Sequence, residues 1–210
     1  MSSIATHAGH RSVGRPREFD EDKVLDAAMA VFWRKGYEGT SMADLLKATG
    51  LHKGSLYQAF GDKKTLFVSA LRRYFDNLRS EMSEVLMGAP TAFDGMRNAM
   101  HKVIDMSCDE SDCNPGCMAL NALVESGPDD AEIRAVLEDV YAMRMRMITQ
   151  SVQACQTEGS IRKDWPAARI SSMIEAMEAG LAVTLQGAVE KEQAYAVIDD
   201  LLEMLKAPAA

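Results

Sequence analysis

Apolar side chains recur at helical spacing through almost the whole chain, and β-branched residues never cluster in the alternation that a strand needs. Val24, Ala28, Val31 and Phe32 make a first stripe, which Gly36 stops. A short segment follows from Thr40 or Ser41 to Thr49, in which Ser41-Met42-Ala43-Asp44 has the form of a capping box and Gly50 that of a C-terminal cap. A very short helix is predicted from about Lys53 to Phe60. Asp62 is placed to cap a long helix with a stripe of Leu66, Ala70, Leu71, Tyr74, Leu78, Met82 and Val85. Gly88-Ala89-Pro90 breaks it, and Pro90 suits the first turn of a further helix reaching about Ser107. Beyond an acidic loop from Cys108 to Pro115, helices are predicted at about Pro115–Glu125, Asp130–Glu158, Pro166–Val189 and Glu192–Lys206. The pattern predicts an all-α fold of about nine helices.

Two short helices joined by a turn containing Gly50 fit the helix-turn-helix layout, whose second helix enters the DNA major groove. Charge sharpens this reading. The chain has a net charge of −8, yet residues 1–79 hold 13 Lys and Arg against 9 Asp and Glu, and residues 80–210 hold 10 against 22. A basic head on an acidic body attracts phosphates at one end only. Lys53, Lys63 and Lys64 also fall in the first turns of predicted helices, where the macrodipole disfavours a cation. A phosphate at that place reverses the sign, because helix amides and lysines then act on one anion.

The residues Phe32-Trp33-Arg34-Lys35-Gly36-Tyr37, Thr40-Ser41, Gly50-Leu51-His52-Lys53-Gly54-Ser55-Leu56-Tyr57-Gln58-Ala59-Phe60 and Asp62-Lys63-Lys64-Thr65-Leu66-Phe67 closely resemble the DNA-binding domain of tetracycline-repressor-type (TetR-family) regulators. The resemblance covers about residues 17–67. It implies an N-terminal three-helix helix-turn-helix domain followed by a helical ligand-binding and dimerisation domain. The division expected is a flexible basic arm at 1–16, the DNA-binding domain at 17–64 and the effector-binding and dimerisation domain at 65–206. Residue by residue, it implies that Thr40 and Ser41 contact a phosphate at a helix start. Lys53, Ser55 and Gln58 face the groove, with His52 at its rim. Tyr57 offers its hydroxyl to a phosphate, and Lys63, with Lys64 beside it, grips the backbone. Leu56 and Phe60 pack inward.

His52 departs from the family pattern, which usually has a Ser or similar cap at that position. Imidazole is a poorer N-cap, so either the helix begins differently or His52 itself meets DNA. The recognition helix has no Arg or Asn for bidentate base contacts, which leaves much of the specificity to phosphate positioning and DNA shape. Arg11, Arg15 and Arg17 either reach a groove or flanking phosphates, or belong to a solvated tail.

A recognition helix this short calls for a homodimer reading a palindromic operator in double-stranded DNA. Two stripes are candidates for its interface: Ile170, Ile174, Met177, Leu181 and Leu185, and Val197, Ile198, Leu201, Leu202 and Leu205. The alternative is that both serve only the chain's own core. Twelve of the 15 Met lie in residues 80–210, as core filler or as the lining of a pocket for an unidentified small-molecule effector, with Met147 facing inward and Arg144 and Arg146 facing out. Cys108, Cys113 and Cys117 are open to three readings: free thiols, a redox or electrophile trigger with Cys117 in a first helical turn, or a metal site. The spacing lacks the usual C-x-x-C pair, so neither a metal nor a cofactor is expected. No positioned base accompanies a nucleophile, which argues against a Cys-dependent enzyme. No apolar run is long enough to span a membrane, and Met1–Gly14 has no apolar leader core, so a cytoplasmic protein with no membrane partner is expected. The expected function is a sequence-specific DNA-binding transcriptional regulator, a repressor released by a small-molecule or redox effector. An activator of the same fold is the alternative.

Overall fold

The computed structural model describes residues 19–108, 116–125 and 130–207, and the regular elements among these are helices. They run α1 (Glu21–Lys35), α2 (Met42–Thr49), α3 (Lys53–Phe60), α4 (Lys63–Met87), α5 (Ala92–Ser107), α6 (Met118–Glu125), α7 (Ala131–Glu158), α8 (Ala167–Thr184) and α9 (Lys191–Leu205). Local chemistry accounts for most boundaries. The Asp20 side chain accepts from the Asp22 and Lys23 amides, and Gly36 ends α1 at φ +72°. Ser41 and Asp44 form the reciprocal capping box of α2, and Gly50 closes that helix in the left-handed region at φ +68°. Asp62 caps α4 through the Thr65 amide at 2.8 Å. Some boundaries differ from expectation. Pro90 precedes the Thr91 cap of α5 rather than entering its first turn, and α8 stops at Thr184, not Val189.

Two apolar clusters organise the chain. One joins Phe32 and Leu45 to Leu56, Leu66, Phe67 and Leu71, then continues through Tyr74, Phe75, Met118, Ala122, Ile133 and Leu137. The rings of Phe32 and Phe67 meet edge to face with centroids 4.9 Å apart. The first turns of α4 thus belong to the core of the three-helix head, and the same core runs on into the body.

The second cluster assigns to the chain's own core most of the two stripes expected at the dimer interface. Ile170, Ile174, Leu181, Leu185, Ile198, Leu202 and Leu205 are all buried against Met96, Met100, Ile104, Val152 and Ile161 of the same chain. Met177 and Leu201 pack on that cluster from its edge, and only Val197 is substantially exposed, at 43%. A helical stripe marks a face that must be covered; here the chain covers it itself.

Candidate nucleic-acid interface and body cavity

The eight-residue α3 has one buried position, Leu56, which with half-buried Phe60 seats the helix on the head core. His52, Lys53, Gly54, Tyr57 and Gln58 are exposed and Ser55 is half-buried. Lys53 and Tyr57 lie one turn apart, with the ammonium 5.7 Å from the ring centroid. His52 makes no side-chain cap bond, as its poor capping chemistry predicts. Gly54 is a helix residue with ordinary φ, and a Cβ added there would meet nothing within 4 Å. Nothing inside the chain therefore requires glycine at this exposed place.

The flanking groups divide. Ser41 is exposed, and its hydroxyl both accepts from the Asp44 amide and donates to the Asp44 carboxylate. Lys35 lies 2.6 Å from the same carboxylate, and with Ser41 holds Asp44 well below the usual carboxylate range. The Lys63 ammonium rests 4.5 Å from the centroid of the Tyr37 ring. Thr40 corrects its expected role: it is buried, and its hydroxyl donates to the Gly36 carbonyl at 2.6 Å, bracing the α1–α2 turn instead of facing a phosphate. Lys64 does so too, pairing with Asp130 at 2.9 Å and Glu132 at 3.2 Å. Successive helix positions point about 100° apart, so Lys64 meets the start of α7 while Lys63 faces the head turn. Arg15, Arg17 and Cys113 lie outside the described residues.

The body holds a half-open cavity of about 510 Å³ lined from α4, α5, α6, α7 and α8. Its wall is mostly apolar, with Phe75, Leu78, Leu120, Leu123 and Ala179 among its lining. A narrower cleft lined by Met82, Met96, Met143 and Met147 adjoins it across Phe75, Leu78, Arg144 and Glu178. Arg144 corrects the outward placement expected of it. Its guanidinium is largely buried and donates to both Glu175 and Glu178, which lie one turn apart on α8. Burial alone would lower the Arg144 pKa, but the two carboxylates outweigh that and raise it, so it stays charged. Burial pushes the Glu178 carboxyl up to about 7 despite the pull of Arg144. Glu178 is only 4% exposed, and its second oxygen has no hydrogen-bond partner among the described residues.

Cys117 lines the larger cavity, and the buried Tyr74 hydroxyl approaches its Sγ at 3.8 Å. It sits before α6 rather than in its first turn: its carbonyl accepts the opening bond from the Asn121 amide. Cys108 ends α5 and is half-buried against the second core.

Several contacts fasten the head to the body, and two of them involve α6 or its approach. Trp33 donates its indole N–H to the Gly116 carbonyl at 2.9 Å. At the other end of α6, the Glu125 carboxylate accepts from the Tyr37 and Glu38 amides, each at 2.8 Å. A Cβ on Gly36 would lie 2.5 Å from that carboxylate, so this glycine serves both a left-handed turn and a close approach. Others are the Lys64 pairing with the start of α7 and that of Arg73 on α4 with Asp22 and Asp26 on α1.

The sequence matches the family description "Bacterial regulatory proteins, tetR family" over residues 24–70 and "Tetracyclin repressor-like, C-terminal domain" over residues 92–198. The chain belongs to the TetR family. It is 28% identical over 204 residues to the HTH-type transcriptional repressor ComR of Escherichia coli (strain K12), spanning 97% of each chain. A 60-residue stretch, 29% of this chain and 32% of the other, is 37% identical to IcaR, the negative regulator of the biofilm operon icaADBC in Staphylococcus aureus (strain Newman). Among solved structures, a cysteine mutant of the TetR-family regulator CifR complexed with 26-base-pair operator DNA superposes with a TM-score of 0.78 at 30% identity, over 90% of this chain and 98% of that one. The chain is accordingly a TetR-family transcriptional regulator with the all-α fold and N-terminal helix-turn-helix expected of it, and none of its described helices is long and apolar enough to cross a membrane.

Within this TetR-family body, reasoning from sequence missed Arg144, Glu175, Glu178 and Glu125. A signal for one of them was present: Glu178 falls one turn after Ile174 and just before Leu181, a charge inside an apolar stripe. Such a residue is either misplaced or paired with a buried cation.

Proposed function

We propose that this chain is a repressor that binds a palindromic operator as a homodimer and lets go when a small, largely apolar molecule enters the body cavity. The observation that carries the reading is the outer face of α3. Lys53, Tyr57 and Gln58 project there around Gly54, a glycine with no role inside the fold and an open approach to it. A groove-bound helix needs such a gap where its backbone nears the sugar-phosphate chain. Gln58 and Ser55 read base edges, His52 lies at the groove rim, and Ser41, Lys53, Tyr57 and Lys63 hold phosphates. The relatives named as repressors, and the operator complex of CifR, support the same reading.

Pairing falls to the outer faces of α8 and α9. Ala168, Ser172, Ala176 and Gly180 make a small-residue path on α8 that lets a second helix come close, and Val183, Val197 and Met204 are large apolar side chains left in solvent at 58%, 43% and 66% exposure. The effector acts through α6. Ala119, Leu120 and Leu123 line the cavity, while Gly116 and Glu125, at the ends of the same segment, hold the head. An occupant that displaces α6 strains those bonds and shifts the spacing of the two recognition helices. Cys117, in the wall, is the thiol placed to feel the occupant. The protein works in the cytoplasm, on DNA, and as a regulator rather than an enzyme.

Fluorescence anisotropy of the full-length chain on the promoter of its own gene tests the reading. Binding is expected to fall steeply with salt, by about 0.9 in log affinity per log salt for each phosphate held. Gln58→Ala is expected to change the preferred sequence, while Tyr57→Phe weakens all operators alike. Equal affinity for operator and scrambled duplex would overturn it.

A further inference from the structure

The charges inside the cavity do not balance. One guanidinium, Arg144 of α7, stands against two carboxylates, Glu175 and Glu178 of α8, all three in the cavity wall. Glu178 is buried and keeps one oxygen without a partner among the described residues. The other charged residues on the lining, Arg134 and Glu138, are exposed and sum to zero. Phe75 and Tyr141 add aromatic faces, and the rest of the lining is aliphatic apart from the Cys117 thiol. A buried carboxylate left over after pairing is expensive in low dielectric, and the deficit is a positive charge. Aromatic faces attract the same charge. An anionic guest would find Arg144 already occupied and would meet two carboxylates.

We propose that the effector of this cavity is a lipophilic organic cation, an ammonium-type head held between Glu178 and Glu175 with an apolar body against Leu78, Val103, Leu120 and Leu123. The inference rests on the cavity being the effector site. A volume of about 510 Å³ suits a guest of drug size. A bound cation also competes with a proton for Glu178. The charged groups acting on that carboxylate are Arg144 on α7 and Glu175 on α8, while Cys117 before α6 and Arg79 on α4 share cavity walls with it. Burial and Glu175 favour its protonated form and Arg144 the ionised one, and a bound cation adds to the latter, so cation binding should strengthen as pH rises and release a proton on the acid side.

The test uses the full-length protein and the uncharged dye Nile red, with Ala179→Trp filling the cavity. Displacement of the dye is then followed with benzyltriethylammonium, the neutral N,N-diethylphenylacetamide and toluenesulfonate. The expected result is dye fluorescence that Ala179→Trp abolishes, and displacement by the ammonium at a concentration at least about tenfold below that of the amide, with no displacement by the sulfonate. Glu178→Gln and Glu175→Gln, each checked for an unchanged helical spectrum, should bring the ammonium to the level of the amide, and wild-type affinity for it should rise between about pH 6 and about pH 8. If amide or sulfonate displaces the dye as well as the ammonium does, or if Glu178→Gln leaves ammonium affinity intact, the cation assignment falls while the cavity stands. If the dye fails to bind, or binds Ala179→Trp equally, the effector-site reading falls and the cation proposal with it.

Discussion

Replacing Gly54 by Ala separates what the fold wants from what DNA wants. Gly54 lies inside α3 at an ordinary helical φ, is exposed, and has open space where a Cβ would stand. Glycine in a helix costs about 0.5–1 kcal/mol relative to alanine, through the extra freedom it retains when unfolded. The substitution should therefore stabilise the protein by about 0.5–1 kcal/mol. For a chain of 210 residues, that corresponds to a rise in Tm of about 1–4 °C. On DNA the effect reverses. A methyl group holds the start of α3 off the backbone that Lys53 and Tyr57 grip, and misplacement there should weaken operator binding at least about tenfold, or about 1.4 kcal/mol. Calorimetry and anisotropy on one preparation read both numbers. Because stability and affinity move in opposite directions, damage to the fold cannot imitate the result. Higher Tm with unchanged affinity would mean that the start of α3 does not approach DNA, and the assigned interface would be wrong.

Lys63→Ala should lower affinity on every operator and reduce the salt slope by about 1, leaving sequence preference alone; salt titrations of two operators check it. Glu125→Ala removes a carboxylate shared by two backbone amides, so the variant should lose about 1–3 kcal/mol in chemical denaturation and respond less to any effector. Glu178 gives a pH signature. Its folded value of about 7 lies above its ordinary 4.5, so below 4.5 both states hold the proton and no penalty exists. Between the two values the unfolded carboxyl ionises first, and stability declines as pH rises, by about 3 kcal/mol at most. Denaturation midpoints of Glu178→Gln should lack this decline, and identical pH profiles for wild type and variant would remove the buried-acid reading.

Most helices were legible because their boundaries are local. Gly36, Ser41 with Asp44, Gly50 and Asp62 act on neighbours within a few residues, and those signals survive without tertiary knowledge. The exposed face of α3 was legible for the same reason, in that the helix is too short to hide it. Pairing across the fold was not. The stripes of α8 and α9 announce a buried face but carry no mark of which surface buries it, so Ile174 and Ile198 read as interface and proved to be core. Arg144 read as solvent-facing because its two carboxylates arrive from another helix. Thr40 and Lys64 failed for a related reason: a hydroxyl and an ammonium suit a phosphate, yet a nearby carbonyl and two acidic side chains suit them equally well.

Helix α6 divides its labour by position. Ala119, Leu120 and Leu123 meet the cavity, whereas Glu125 and the Gly116 carbonyl beyond its start hold the head and lie outside the lining of the cavity and its adjoining cleft. Mutation can thus reshape what the wall admits without touching the pins that carry the message. A lineage could retune its chemical vocabulary, guest by guest, and keep one inherited grammar for addressing the genome.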